Sequence, residues 1–357
     1  MAKFHKLKVA DVRKETADCV SIAFNVPAEL KEEYKYIQGQ YLTFKLAVKG
    51  EEIRRSYSLC SSPVTETELR VAIKKVKDGR GSGFLNESTK IGDELDVMTP
   101  MGTFHSALNA SNAKNYVLFA GGSGITPMFS IIKTVLSAEP KSTIQLFYGN
   151  LNEEAAIFKK QLDELATANS SRLNIVHVLD KPNSAIDDLH KGIMSTDKIK
   201  ALITKYLDLK KDSEFFICGP GPMMENAKNI LEGLKVEKKR IHIEYFTAVL
   251  EATAKVETSS ASGKELSKVT IILDGKETEL ELGENGKVIL DAAIDADLDV
   301  PFACKGAVCC TCRAKLIEGK VKMDNNFALT DSEVEDGFIL TCQSHPLTPV
   351  VKVDYDV

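Results

Sequence analysis

The chain contains no tryptophan, only six histidines, and no apolar run near the roughly 18 residues that a membrane-crossing helix needs. Its opening stretch, MAKFHKLKVADVRKE, lacks the apolar core of a secretory signal, so a soluble, cytoplasmic protein without a membrane partner is expected. Charge of one sign is also missing. A net value of −5 gives no general electrostatic reason to bind nucleic acid. The histidines, at positions 5, 105, 177, 190, 242 and 345, show no metal-ligand spacing, and nothing supports nucleophilic catalysis. His177 and His242 fall within apolar runs and read as core or rim residues. Cysteine is sparse over the first 300 residues, where Cys19, Cys60 and Cys218 stand far apart, as small buried apolar residues do.

What is present begins with length, since 357 residues imply two or three domains. With 43% hydrophobic and 27% charged residues, each domain can bury a core. The charge is uneven: from Ser267 onward 9 Lys and Arg face 17 Asp and Glu. An acidic end of this kind either solvates its own surface or steers toward a basic partner.

The first hundred residues alternate in the manner of strands (KLKVADV, CVSIAFNV, QYLTFKLAV, SYSLC, LRVAIKKV, ELDVMTP), separated by turn residues. An antiparallel β-barrel or sandwich is expected there, over residues 1–110. From Asn115 short apolar runs (YVLFAGG, TIQLFYGN, LNIVHVL, EFFICGP, IHIEYF) alternate with helix-compatible stretches such as MFSIIKTVLSA and EEAAIFKKQLDELATA. Buried strands separated by helices imply a parallel α/β nucleotide-binding domain, residues 111–248. The segment 249–266 is rich in Ala, Ser, Thr and Lys without a period, and reads as a linker. Strand patterns resume over 267–357, with a short acidic helix near Val288–Ala296.

In that last segment Cys304, Cys309 and Cys312 are separated by four and then two residues, and Cys342 follows at a distance. This is plant-type [2Fe–2S] spacing: three thiolates on one tight loop and a fourth from another segment. A four-cysteine zinc site is the alternative, although zinc ribbons use two knuckles rather than one long loop. Cys310 reads as a packed thiol beside the ligands, or as part of another ligand set.

Two glycine-rich turns precede helix-compatible segments. In DGRGSGFLNE, Gly79, Gly81, Ser82 and Gly83 allow close backbone approach to a phosphate. In FAGGSGITPM, the residues Gly122, Ser123, Gly124, Thr126 and Pro127 follow a strand and open a helix, as a dinucleotide seat requires, with Pro127 suited to the first turn. A second loop, Cys218-Gly219-Pro220, follows another apolar strand at the same expected edge. Arg55-Ser56-Tyr57-Ser58 offers a cation for a diphosphate, a ring for stacking and a hydroxyl for a ring edge, or else an ordinary edge strand.

In this order RSYS, GRGS, AGGSGITPM, YGN, CGPGPMM and CKGAVCCTC resemble the ferredoxin–NADP reductase superfamily, in the form with a C-terminal plant-type ferredoxin domain, over nearly the whole chain. The resemblance implies a multidomain fold: an antiparallel β-barrel for flavin, a parallel-sheet α/β domain for nicotinamide, and an α+β ferredoxin (β-grasp) domain. It also implies FAD, NADPH or NADH, and a [2Fe–2S] cluster. It assigns Arg55, Tyr57 and Ser58 to the flavin, Ile73 and Lys74 to the segment along it, and Gly81 and Ser82 to the diphosphate. Gly122 to Pro127 would lie between flavin and coenzyme, and Asn150 and Cys218 to Pro220 would border the coenzyme. Ser58, Thr126 and Cys218 are the expected catalytic positions, and Cys304, Cys309, Cys312 and Cys342 the metal ligands.

The activity implied is transfer of electrons from NAD(P)H through FAD and the cluster to a separate oxygenase. The phenylacetyl-CoA epoxidase of phenylacetate degradation is the first expectation. Another hydroxylase, a dioxygenase or a desaturase is the alternative acceptor, and a zinc-bound sensor without turnover is the non-enzymatic rival. Two positions depart from the family pattern. Leu151 stands where an arginine for coenzyme phosphate is frequent, leaving NADPH and NADH both open, with Arg172, Lys159 or Lys160 as substitutes. Ala307 stands where a second glycine is frequent, which matters if its φ is positive.

Overall fold

Alternation of apolar and polar residues forces one face of each early strand inward, and the first sheet is built on that pattern. The computed structural model describes residues 3–246 and 266–357, so the expected linker lies, except for Leu266, outside the described residues. Six strands, β1 (Phe4–Thr16), β2 (Cys19–Asn25), β3 (Tyr41–Val48), β4 (Glu51–Ser58), β5 (Leu69–Lys74) and β6 (Glu94–Met98), pair in the order β4-β3-β6-β1-β2-β5. Its two edges meet through a bridge between Leu59 and Val71 and a hydrogen bond from the Cys60 N–H to the Arg70 carbonyl (2.8 Å), which closes the barrel. Phe24, Phe44, Leu42, Ile73 and their neighbours fill it. Helix α1 (Arg80–Glu87) connects β5 to β6.

In the next stretch strands and helices alternate: β7 (Asn115–Gly121), α2 (Ile125–Ala138), β8 (Thr143–Asn150), α3 (Lys159–Ala168), β9 (Leu173–Leu179), α4 (Thr196–Tyr206), β10 (Ser213–Cys218), α5 (Gly221–Gly233) and β11 (Ile241–Glu244). The five strands form a fully parallel sheet in the order β11-β10-β7-β8-β9. All seven residues of β7 are buried, as expected of a central strand covered on both faces. The chain moves outward from β7 to β9, then returns to place β10 on the other side of β7, so winding reverses between β7 and β10. Helix α3 starts later than its sequence suggests, because Phe158 adopts φ +60° at the N-cap.

Barrel and parallel sheet belong to one unit, residues 5–53 and 57–244. Cys19, Cys60 and Phe104 join α2 and the parallel strands in one core. Burial pushes the Cys60 thiol up to about 12 and the Cys19 thiol higher still, as inert packed cysteines require. A buried polar seam fixes α2 to the barrel: Ser130 Oγ donates to the Ser61 carbonyl (2.6 Å), and the Ser62 and Thr134 hydroxyls share a hydrogen bond (2.9 Å).

The second unit comprises the described residues of 245–357 with residues 3–4 and 54–56. Its strands β12 (Ser267–Leu273), β13 (Lys276–Leu282), β14 (Arg313–Glu318), β16 (Phe338–Leu340) and β18 (Val350–Asp354) form a mixed sheet in the order β13-β12-β18-β14-β16, with β12 and β18 parallel. A small sheet pairs β15 (Val321–Met323) with β17 (Ser344–Pro346). Helix α6 (Ile289–Asp295) buries Ile289, Leu290 and Ala293, while α7 (Asp331–Glu335) starts with a Thr330–Glu333 capping box. The three architectures are those expected from sequence. Among the described residues no helix is long and apolar enough to cross a membrane.

Candidate functional site

Doubly wound sheets bind ligands beyond the carboxyl ends of their strands, where the winding reverses. Here that point lies between Gly121, ending β7, and Cys218, ending β10. The two loops leaving these strands are packed backbone on backbone. A Cβ on Gly124 would stand 2.0 Å from the Cys218 carbonyl oxygen, and one on Gly219 would stand 2.8 Å from the Gly121 nitrogen. Most of the glycine in the motif thus serves loop-on-loop contact. Gly122 differs, since its φ is +52° and nothing crowds it, so its backbone is open to a ligand.

Pro127 is buried in the first turn of α2, the placement expected for it. The Thr126 hydroxyl is also buried, and it donates to the Ser123 carbonyl (3.0 Å), which makes it a brace for the turn. Pro220 caps the start of α5 and lines a cavity of about 450 Å³ with Lys74, Gly122, Asn150, Asp180 and Met223. The amide oxygen and nitrogen of Asn150 are buried without a hydrogen-bond partner, while the neighbouring Tyr148 hydroxyl bonds the Gly122 and Ile157 carbonyls. A buried unsatisfied amide facing a cavity fits a polar ligand there, and the residues present suit a nicotinamide coenzyme.

One residue in this region escaped sequence reasoning. Glu244 ends β11 in register with Cys218, and Cys218 is in register with Ala120 on β7. From the barrel, Ser58 Oγ donates to Glu244 Oε2 at 3.1 Å. Loss of water around the carboxyl pushes Glu244 up to about 8, against the Ser58 hydrogen bond, so it is protonated at neutral pH. Burial, reinforced by Glu244, likewise pushes the Cys218 thiol well up and keeps it neutral. An acid ending the run IHIE carries no motif; its signal lay in its register with Cys218.

On the barrel, Tyr57 stands on β4 with its ring 5.8 Å from Phe44, and Lys74 ends β5 with its ammonium 3.5 Å from Asp18. The Ile73 side chain is wholly inside the barrel, leaving only its backbone on the ligand side. Gly81 and Ser82 lie within the first turn of α1 rather than before it. The Ser82 hydroxyl closes the preceding loop by accepting from the Val76 N–H (3.1 Å). Gly79 caps this helix without a side-chain bond, so first-turn N–H groups remain for a diphosphate, as an FAD seat requires. Arg55 is exposed on β4, its guanidinium donating to the Arg54 carbonyl.

In the second unit the four expected cysteines gather two by two. Cys304 and Cys309 sulfurs stand 3.1 Å apart, and Cys312 shares a hydrogen bond with Cys342. Within each pair that bond holds one thiol low and the other high: Cys304 falls to about 6 and Cys309 rises, Cys342 falls and Cys312 rises. Among the described residues no three His, Cys, Asp or Glu side chains converge on one point as a single ion demands. Two sulfur pairs suit two irons, each with two thiolates, better than one tetrahedral zinc. Backbone donors also turn toward sulfur, with the Gly306 N–H 3.3 Å from Cys304 Sγ. Ala307 has φ +62° and is fully buried, so the position that a glycine would suit is left-handed. Cys310 is buried on the same loop, outside both pairs.

Family models match in the same order: an oxidoreductase FAD-binding domain over residues 6–106, an oxidoreductase NAD-binding domain over 118–229, and a 2Fe-2S iron-sulfur cluster binding domain over 271–347. The chain is 39% identical to one component of the 1,2-phenylacetyl-CoA epoxidase of Escherichia coli, over 100% of this chain and 99% of that protein. It is 33% identical to the ferredoxin reductase component of 3-ketosteroid-9-alpha-monooxygenase from Rhodococcus rhodochrous, covering 98% and 96%. Among solved structures, phthalate dioxygenase reductase superposes with TM-score 0.57 at 25% identity, covering 98% of both chains. Domain order, cysteine pairing and full-length similarity lead to one conclusion: the chain belongs to the ferredoxin–NADP reductase superfamily, in the form with a C-terminal plant-type ferredoxin domain that serves as the reductase component of oxygenase systems.

Proposed function

We propose that this oxidoreductase supplies electrons from NAD(P)H to a phenylacetyl-CoA epoxidase, by way of FAD on residues 1–110, coenzyme on 111–248 and a [2Fe–2S] cluster on 267–357. FAD, when bound, supplies the change from two-electron hydride chemistry to single-electron transfer, and the cluster supplies a one-electron relay. The observation that carries this reading is the Ser58–Glu244 hydrogen bond. It joins the barrel strand of the RSYS motif to the carboxyl edge of the parallel sheet beside Cys218, so that a ring on the barrel and a ring on the sheet would meet there.

In this reading the residues act by placement. Tyr57 would stack on the flavin, Ser58 would bond its edge, the α1 N-terminus would receive the diphosphate, and Asn150 would satisfy its amide on the coenzyme. Cys218, kept neutral, would lie beside the nicotinamide as a packing group rather than a nucleophile. Glu244, protonated at neutral pH, holds Ser58 and keeps negative charge away from the site where hydride arrives. Cys304 with Cys309, and Cys312 with Cys342, would hold the irons. Reconstitution with purified epoxidase components and measurement of coenzyme-dependent epoxidation of phenylacetyl-CoA tests the acceptor. Coupled turnover supports it; reduction of the chain without any turnover of that acceptor would favour another oxygenase.

A further inference from the structure

The two sulfur pairs are held by different means. Cys304 and Cys309 share one loop, so local backbone fixes their spacing. Cys312 and Cys342 come from segments far apart in sequence: Cys312 directly precedes β14, and Cys342 lies in a short 3-10 turn, Thr341–Gln343, that follows β16. The ladder between those strands ends where Arg313 faces Leu340, just short of both cysteines. Beyond it another tie must keep the pair in place, and Thr341 provides it. Its N–H (3.2 Å) and its hydroxyl (2.9 Å) both donate to the Cys312 carbonyl. Because Thr341 is joined covalently to Cys342, these bonds set how far one ligand backbone stands from the other. From behind, the Tyr355 hydroxyl donates to Thr341 Oγ1 at 2.8 Å, and all four residues are buried.

The direction of this chain of hydrogen bonds is dictated by its members. A carbonyl oxygen only accepts, so the single Thr341 hydroxyl proton goes to Cys312, and the Thr341 oxygen is left to accept from the phenol. The two O–H dipoles consequently run the same way, with their positive ends toward Cys312. Aligned donors reinforce one another inside a protein, where little water screens them. Tyr355 is itself pinned. Its N–H donates to the Ile272 carbonyl on β12 (3.0 Å), and the carboxylate of the next residue, Asp356, accepts from the Asp274 and Gly275 N–H groups (2.9 and 2.8 Å) at the turn between β12 and β13. A phenylalanine would fill the same space without a buried hydroxyl to satisfy, so packing alone does not call for a tyrosine.

We propose that Tyr355 is a positioning residue for the [2Fe–2S] centre, acting through Thr341 to hold the Cys312 backbone against Cys342 and to direct two dipoles at that pair. Hydrogen bonding around the ligands is one means by which a protein sets a cluster's potential. Here the dipoles present positive charge to a centre that gains one electron, so they favour its reduction by the flavin. This role rests on the assignment of the four cysteines as ligands.

The test uses the full chain loaded with FAD, iron and sulfide, and reads the midpoint potential in an anaerobic dye-coupled titration, the electron paramagnetic resonance of the reduced cluster and the visible circular dichroism of the oxidised one. Tyr355→Phe should keep its iron and sulfide yet be harder to reduce, with the ratio of reduced to oxidised cluster at a fixed poise lowered roughly threefold, the size of one modest hydrogen bond. Both spectra should shift with it. Thr341→Val should shift the potential the same way and at least as far, Thr341→Ser should restore native values, and Tyr355→Phe added to Thr341→Val should change little more, since the two act as one unit. Should Thr341→Val fail to hold iron, Tyr355→Phe and Thr341→Ser decide the matter. A Tyr355→Phe protein that loses thermal stability but keeps the native potential and spectra overturns the positioning role, and additive shifts in the double variant overturn the route through Thr341. A native chain that takes up no iron and sulfide overturns the ligand assignment and the role together.

Discussion

A carboxylic acid that stays protonated at neutral pH is unusual, and Glu244 owes this to lost hydration that its Ser58 hydrogen bond only partly offsets. Above about 8 it ionises beside Ser58, at the edge where a bound flavin would gain negative charge on receiving hydride. The rate of flavin reduction should therefore fall as pH rises through about 8, and Glu244→Gln should flatten that profile; stopped-flow rates between pH 6 and 9 check it. The sign for stability is the same. Because the folded value lies above the ordinary 4.5, this group's contribution is fully present below about 4.5 and is lost as pH rises toward 8. Cys218→Ala should slow hydride transfer about tenfold, on the order of the loss of one positioning contact, with FAD still bound. Ala307 supplies a third test at this scale. At φ +62° its Cβ costs roughly 1 kcal/mol, so Ala307→Gly should stabilise the cluster-bearing unit by about that amount in denaturant unfolding.

Among the elements, the loops after β7 and β10 explain both what the sequence disclosed and what it could not. The motifs AGGSG and CGPGP mark a ligand edge, and the reversal of winding falls at that same edge. Their glycines serve mainly to let two backbones touch, a contact between residues about a hundred positions apart that no local pattern encodes. Gly124→Ala would drive a Cβ to 2.0 Å from the Cys218 carbonyl, so it should destabilise the fold by roughly 3 kcal/mol or more. Gly122→Ala meets no atom and should cost only the left-handed backbone penalty of about 1–2 kcal/mol. Thermal unfolding of the two variants separates these outcomes. Elsewhere local chemistry was readable: Pro127 sits in a first helical turn, and Cys19 and Cys60 are packed apolar residues. Boundaries set by single dihedrals, such as the start of α3 at Phe158, were not. Nor was Glu244, which depends on strand register.

At the scale of the whole molecule, each cofactor seat is made by a different architecture, and each was legible because its chemistry demands clustered residues: four cysteines, two glycine turns, one RSYS strand. Coenzyme choice was not legible, because composition and spacing do not say which side chains reach the cavity wall. The central claim is that electrons enter at the nicotinamide seat, pass through flavin and leave by the cluster of the same chain. Anaerobic titration of the purified protein with NADH, followed by visible absorption and electron paramagnetic resonance, tests it most directly. The expected result is bleaching of flavin together with appearance of a reduced [2Fe–2S] signal, and uptake of more reducing equivalents than flavin alone can hold. A flavin that is fully reduced while the cluster remains oxidised, or a chain that binds zinc in place of iron and sulfide, would contradict it.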